Sequence, residues 1–143
     1  MWLRPCLRIL ALAALAGLAA CAGEVRPAAV EQDMAMGPFT LRAVSVEAYS
    51  RAHQGVPWEV QVMFTVTGGN RFDRADFADT VSRRGISFQT SDRWRERGWL
   101  LARGEDRTVF ALQANPPLGS HGYTVRIANP YGKPAAYLLD LGR

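Results

Sequence analysis

From Phe39 onward the chain is written in short apolar and polar alternations separated by turn residues, the pattern of strands with one buried face. The clearest case is Trp58, Val60, Val62, Phe64 and Val66, which alternate with Glu59, Gln61, Met63, Thr65 and Thr67 before Gly68-Gly69-Asn70 ends the run. Ahead of it, Phe39 and Leu41 share one parity and Val44 and Val46 the other, which predicts a β-bulge near Ala43. Further strands are predicted at Ile86-Ser87-Phe88, at Trp99 to Ala102 after a charged turn, and at Thr108 to Gln113, Tyr123 to Ile127 and Tyr137 to Leu141, with Pro116-Pro117 and Asn129-Pro130-Tyr131-Gly132 as breaks. One segment has a different period. Asp73 can cap, Asp76 lies in an acidic first turn, and Phe77 and Val81 stand four apart, so Asp73 to Arg84 predicts a short helix. About seven strands with one helical insertion predict an all-β protein, a two-sheet antiparallel β-sandwich over residues 38–143.

The N-terminal stretches do not follow this pattern. Ile9 to Ala20 is a nearly unbroken Leu and Ala run behind Arg4 and Arg8, too short to span a bilayer, so residues 1–20 read as a secretory signal peptide. Ala22 to Met36 is Ala-rich, carries scattered charges and has no sustained period. Residues 21–37 are therefore expected to be a flexible tether. Met34 and Met36 within it form too poor a soft-ligand set for copper, having no histidine beside them.

Composition narrows the partners less than the formal charge of +4 suggests. Arg4 and Arg8 leave with the signal, so of 17 basic residues 15 remain against 13 acidic ones, a net of +2 that by itself implies no polyanion. Cys6 is also lost with the signal, leaving Cys21 alone, so the folded part has no thiol for a disulfide, a metal or nucleophilic catalysis.

Candidate chemistry is sparse. The two histidines, His53 and His121, fall in predicted turns, and Ser120 beside His121 has no acidic residue near it in sequence to complete a triad. Asp73, Asp76 and Asp79 lack the alternate-residue spacing of a calcium loop and read as a helix face. No metal site, cofactor or enzyme signature emerges. The run Asp92-Arg93-Trp94-Arg95-Glu96-Arg97-Gly98-Trp99 interleaves cations with indoles. Arg93, Trp94, Arg95 and Arg97 are therefore candidate contacts for a polyanion such as an envelope glycan or anionic lipid; the plainer expectation is an exposed hairpin with Trp99 packed inward and solvated arginines.

Two resemblances add to this reading. Leu18-Ala19-Ala20-Cys21 resembles the lipobox of bacterial lipoproteins, which implies cleavage before Cys21 and a covalent lipid on its thiol. Ala22 after the cysteine implies sorting to the outer membrane, facing the periplasm. Gly55-Val56-Pro57 before Val60 to Phe64, Phe72-Asp73-Arg74-Ala75-Asp76-Phe77, and Leu101-Ala102-Arg103-Gly104-Glu105 resemble the outer-membrane lipoprotein of the type VI secretion system, the TssJ or SciN family. That likeness implies a transthyretin-like sandwich without catalysis, which docks the periplasmic domain of an inner-membrane protein through the loop after its first strand, here Ala48 to Val56. Tyr49, Arg51, His53 and Gln54 would be the contacts. The chain departs from the family at Tyr49-Ser50-Arg51, where Leu-Asn-Pro is usual, and at Arg103, where proline is usual. Gly122 to Gly132 is similar to the penultimate strand and final turn of immunoglobulin-like domains, which again implies a sandwich.

Overall fold

The computed structural model describes residues 23–49, 59–70 and 73–142, and within them it forms two five-stranded sheets packed face to face. Sheet A runs β1 (Val25–Ala29), β10 (Ala136–Asp140), β9 (Thr124–Ala128), β5 (Ile86–Gln89) and β6 (Arg95–Gly98). Sheet B runs β2 (Asp33–Met36), β3 (Phe39–Tyr49), β4 (Glu59–Gly68), β8 (Val109–Ala114) and β7 (Leu101–Arg103). All neighbours are antiparallel except β1, which lies parallel to β10. The single described helix, α1 (Asp73–Arg84), joins β4 to β5.

The alternation in the sequence becomes the inner face. Val60, Val62, Phe64 and Val66 of β4 are buried, as are Phe88 of β5, Phe110 and Leu112 of β8, Val125 and Ile127 of β9 and Leu139 of β10. The register of β3 on β4 shifts between Ala43 and Ser45, so the bulge lies where the parity change placed it. Val44 is the extra residue and is exposed, while Val46 returns to pack on the core. On α1, Phe77 and Val81 are fully buried. Phe77 sits 4.8 Å from Phe39, ring to ring, and lies stacked on Tyr131 at 5.9 Å. The far end of the helix is tied to the next connection by Ser82, whose Oγ accepts the Leu100 N–H at 2.9 Å inside the core.

Three expectations are corrected. Residues 25–36 are not a tether: β1 and β2 are edge strands, one in each sheet, so the sandwich begins at Val25 rather than residue 38. Met34 and Met36 are 0% exposed and pack in the core, because alternation through β2 points both thioethers inward opposite Leu41 and Phe39. The charged segment before Trp99 is a strand, not a turn. Arg95, Glu96 and Arg97 form the outer edge of sheet A, where charged side chains guard an unpaired strand edge, and the predicted strand at Trp99 begins only at Leu101. Trp99 is accordingly 44% exposed instead of packed inward, and Trp94 takes the inner position against Phe88 at 6.2 Å.

Gly98 makes that corner possible. A Cβ there would stand 2.4 Å from Leu112 Cδ1 and 3.1 Å from Ile86 Cγ2, so a larger residue would force the buried Leu112 to shift where β6 closes onto the core.

Candidate anion-binding cleft

β5 is the centre of the site, because it pairs with β6 on one side and β9 on the other. Ile86 and Phe88 face the core, so Ser87 between them points to the outer face of sheet A, where its neighbours leave it only 8% exposed. The same alternation turns Arg126 outward between Val125 and Ile127. The ladders place Arg97 opposite Ser87 on one side and Arg126 opposite it on the other. Two strand spacings separate the arginine backbones by about 10 Å, near enough for both guanidinium groups to converge above the serine.

Around this row the surface folds into an open cleft of about 520 Å³, and the end of α1 supplies its wall. Arg83, Arg84, Arg95, Arg97 and Arg126 line it together with Ser87, and no carboxylate is among its lining residues. Arg83 and Arg84 occupy the last turn of α1, where cations complement the negative end of the helix dipole. Arg83 is also paired with Asp79 at 2.8 Å, one turn back on an exposed face. Glu96, between Arg95 and Arg97 in β6, accepts the Asn115 N–H at 3.3 Å, and Asp140, at the end of β10, accepts the Gly142 N–H at 2.8 Å. Ser87 Oγ accepts a hydrogen bond from Gln89 Nε2 at 3.2 Å, which leaves its O–H to donate into the cleft.

At the corner of β6 the Arg97 guanidinium lies over the Trp99 ring, 4.9 Å from its centroid. A smaller hollow beside the cleft is lined by Gln89, Thr90, Arg93, Trp94 and Arg95. Arg93 there adopts a left-handed backbone, φ 71°, in a turn closed by its N–H to the Thr90 carbonyl at 3.1 Å. The Thr90 hydroxyl bonds the Asp92 carboxylate, the largest of the influences that hold Asp92 below the usual carboxylate range.

Of the four residues singled out as polyanion contacts, Arg95 and Arg97 are in the cleft, and Arg93 and Trp94 border the adjoining hollow. Arg83, Arg84 and Arg126 were not foreseen. The outward parity of Arg126 was legible in Tyr123 to Ile127, but its position beside Ser87 depends on the pairing of β5 with β9.

The partner-loop candidates are treated differently by the structure. Tyr49 ends β3 and is 42% exposed, its hydroxyl bonding Glu47, an interaction that raises its pKa. Arg51, His53 and Gln54 lie outside the described residues, as does Cys21.

The Ser120 and His121 pair has an acidic neighbour in space that the sequence hid. His121 lies close enough to Asp92 for its charge to contribute to lowering that carboxyl. The three do not form a relay: His121 Nδ1 faces the Gly119 carbonyl at 3.5 Å, and Ser120 Oγ, though near enough to Asp92 to help lower its carboxyl, is buried without a hydrogen-bond partner of normal geometry among the described residues. Among the described residues no group of three or more His, Cys, Asp or Glu is arranged to hold a metal ion, and no helix is long and apolar enough to cross a membrane.

The fold defines the chain as a β-sandwich protein. No family model matches the chain, and no curated protein matches it. A comparison of structures gives an uncharacterised β-sandwich protein from Clostridium difficile 630, known from a crystal structure, at a TM-score of 0.50 and 6% sequence identity. The match covers 82% of this chain and 95% of that one, and it speaks to the fold alone.

Proposed function

We propose that this protein is a lipid-anchored, periplasm-facing binding component of the cell envelope, without catalysis, which holds an anionic ligand or polymer in the arginine cleft of sheet A. The observation that carries the reading is the convergence of five arginines from α1, β6 and β9 on one cleft that no carboxylate lines. Arg83 is already paired with Asp79, but among the described residues the other four have no carboxylate at salt-bridge distance. Cations grouped in this way repel one another, and an anionic occupant relieves that repulsion while accepting several charge-assisted hydrogen bonds. Co-sedimentation with lipopolysaccharide or peptidoglycan across a salt series tests the proposal. Binding that weakens steeply as salt rises supports it, and salt-insensitive binding or none rejects it.

A second reading follows the type VI likeness, in which the segment after β3 docks the periplasmic domain of an inner-membrane protein. The observation that favours it is Tyr49, whose exposed ring stands where β3 leads into that segment. Pull-down from solubilised membranes with Tyr49→Ala or with Arg51→Ala and His53→Ala tests it. Undiminished recovery of one large inner-membrane protein by all of these variants rejects that segment as the contact.

A further inference from the structure

We infer that the outer face of sheet A is the surface on which the domain rests against an anionic phospholipid bilayer, with headgroup phosphates in the arginine cleft and Trp99 in the interface. This rests on lipidation at Cys21 and on the binding role proposed for the cleft.

The first support is the short reach of the anchor. Because β1 is part of sheet A, only residues 22–24 separate Cys21 from the sandwich at Val25. Even fully extended, the step from Cys21 to Val25 spans at most about 14 Å. A lipid on Cys21 therefore holds this domain close to the headgroups instead of letting it stand away from them.

The second support is which end of the sheet is held. Val25 pairs with Ala136, which pairs with Ala128. The Ala128 N–H in turn bonds the carbonyl of Gly85, the residue that follows Arg84. One row along, Arg26, Tyr137, Ile127, Ile86 and Gly98 align across all five strands, and Trp99 comes next in the chain. The anchored end of sheet A is thus also the end that carries the helix terminus with its arginines and the exposed indole.

The third support is the character of the surface there. Continuing the Arg97, Ser87 and Arg126 row toward the anchor edge gives Leu138 and Pro27, and Leu138 and Val25 are both exposed. Trp99 is 44% exposed beside Arg97. Guanidinium groups among exposed aliphatic side chains and an indole match the boundary where phosphates meet acyl chains. A soluble anion would use the cations and leave the apolar residues without a role.

The test uses the acylated mature chain, residues 21–143, purified from membranes, verified by mass spectrometry to carry lipid on Cys21, and reconstituted into vesicles with brominated acyl chains. Tryptophan quenching is compared between phosphatidylcholine vesicles and vesicles that also contain phosphatidylglycerol. The expected result is extra quenching with phosphatidylglycerol that is lost in Trp99→Phe, in the double variant Arg97→Glu with Arg126→Glu, and at high salt. Equal quenching in the two lipids, or quenching that survives the charge reversal, overturns the inference. Suppression of the lipid effect by inorganic phosphate alone at millimolar concentration also overturns it, since the cleft would then take a free phosphate. Binding of dextran sulfate in solution separates this from the wider proposal: if the double variant loses dextran sulfate yet keeps its quenching, only the membrane inference fails. If it keeps dextran sulfate, the cleft itself is rejected.

Discussion

Arg97 and Arg126 stand on opposite sides of Ser87, one strand away on each side of β5. Among the described residues neither has a carboxylate at salt-bridge distance, so the pair can share one anion between them. An acidic side chain at position 87 would fill that place from within. Ser87 is only 8% exposed, so the fold of Ser87→Asp depends on the two guanidinium groups meeting the new carboxylate. With them the variant is expected to stay folded and to weaken polyanion binding roughly tenfold, in line with two charge contacts of up to ~1 kcal/mol each. Titration with dextran sulfate beside a thermal melt checks both halves of the expectation.

The membership of β2 in the core predicts a cost that no tether would show. Met34 is fully buried opposite Leu41, so Met34→Ala is expected to destabilise the domain by about 2–5 kcal/mol through lost burial and the cavity left behind. Urea unfolding measures it, and an unchanged midpoint contradicts the placement of β2.

Gly98 allows a second check on packing. The Cβ of Gly98→Ala meets Leu112 and Ile86 too closely, and the expected loss is about 1–3 kcal/mol. Because the clash is at the corner between β6 and β7, amide exchange should speed up first in β6.

Ser82→Ala tests the tie between α1 and the β6–β7 connection. It leaves the buried Leu100 N–H without its acceptor, at an expected cost of about 1–3 kcal/mol. Ser82→Cys, with a poorer acceptor in nearly the same volume, should fall between the two in a denaturant melt.

The Thr90–Asp92 turn has a pH dependence of known sign. Asp92 titrates below its ordinary value because the Thr90 hydroxyl favours the carboxylate. A depressed carboxyl contributes stability above its unfolded value, about 3.9, and loses that contribution as the pH falls through the lower folded value. Exchange of the Arg93 amide, which closes this turn, is expected to show protection that declines in that acidic window. Asp92→Asn should remove the pH dependence.

Strand β4 and helix α1 were legible because each repeats its period long enough to exclude the alternatives: two residues per repeat from Trp58 to Val66, and Phe77 with Val81 behind acidic first-turn residues. The bulge near Ala43 was legible because a parity change has a single simple geometric cause in a strand. Strand β1 was not, since Val25-Arg26-Pro27-Ala28-Ala29 buries only Ala28 and its partner β10 lies more than a hundred residues away. Four residues of β2 are too few for Met34 and Met36 to stand out as an inner face. Strand β6 was hidden by Arg95-Glu96-Arg97, which in composition reads as a turn although charges are also how an exposed sheet edge is protected. Two of the five cleft arginines, Arg95 and Arg97, could be read from that run. The remainder, Arg83, Arg84 and Arg126, is assembled by strand pairing and by the way α1 delivers its last turn to β5, neither of which is a local property of the chain.

The measurement that bears most directly on the cleft is the affinity of the full chain for dextran sulfate, wild type against Arg97→Glu with Arg126→Glu, at low and high salt. The cleft predicts a loss of more than tenfold at low salt on charge reversal, an unchanged melting temperature, and a much smaller difference at high salt. Equal affinity of the two proteins at low salt would contradict it.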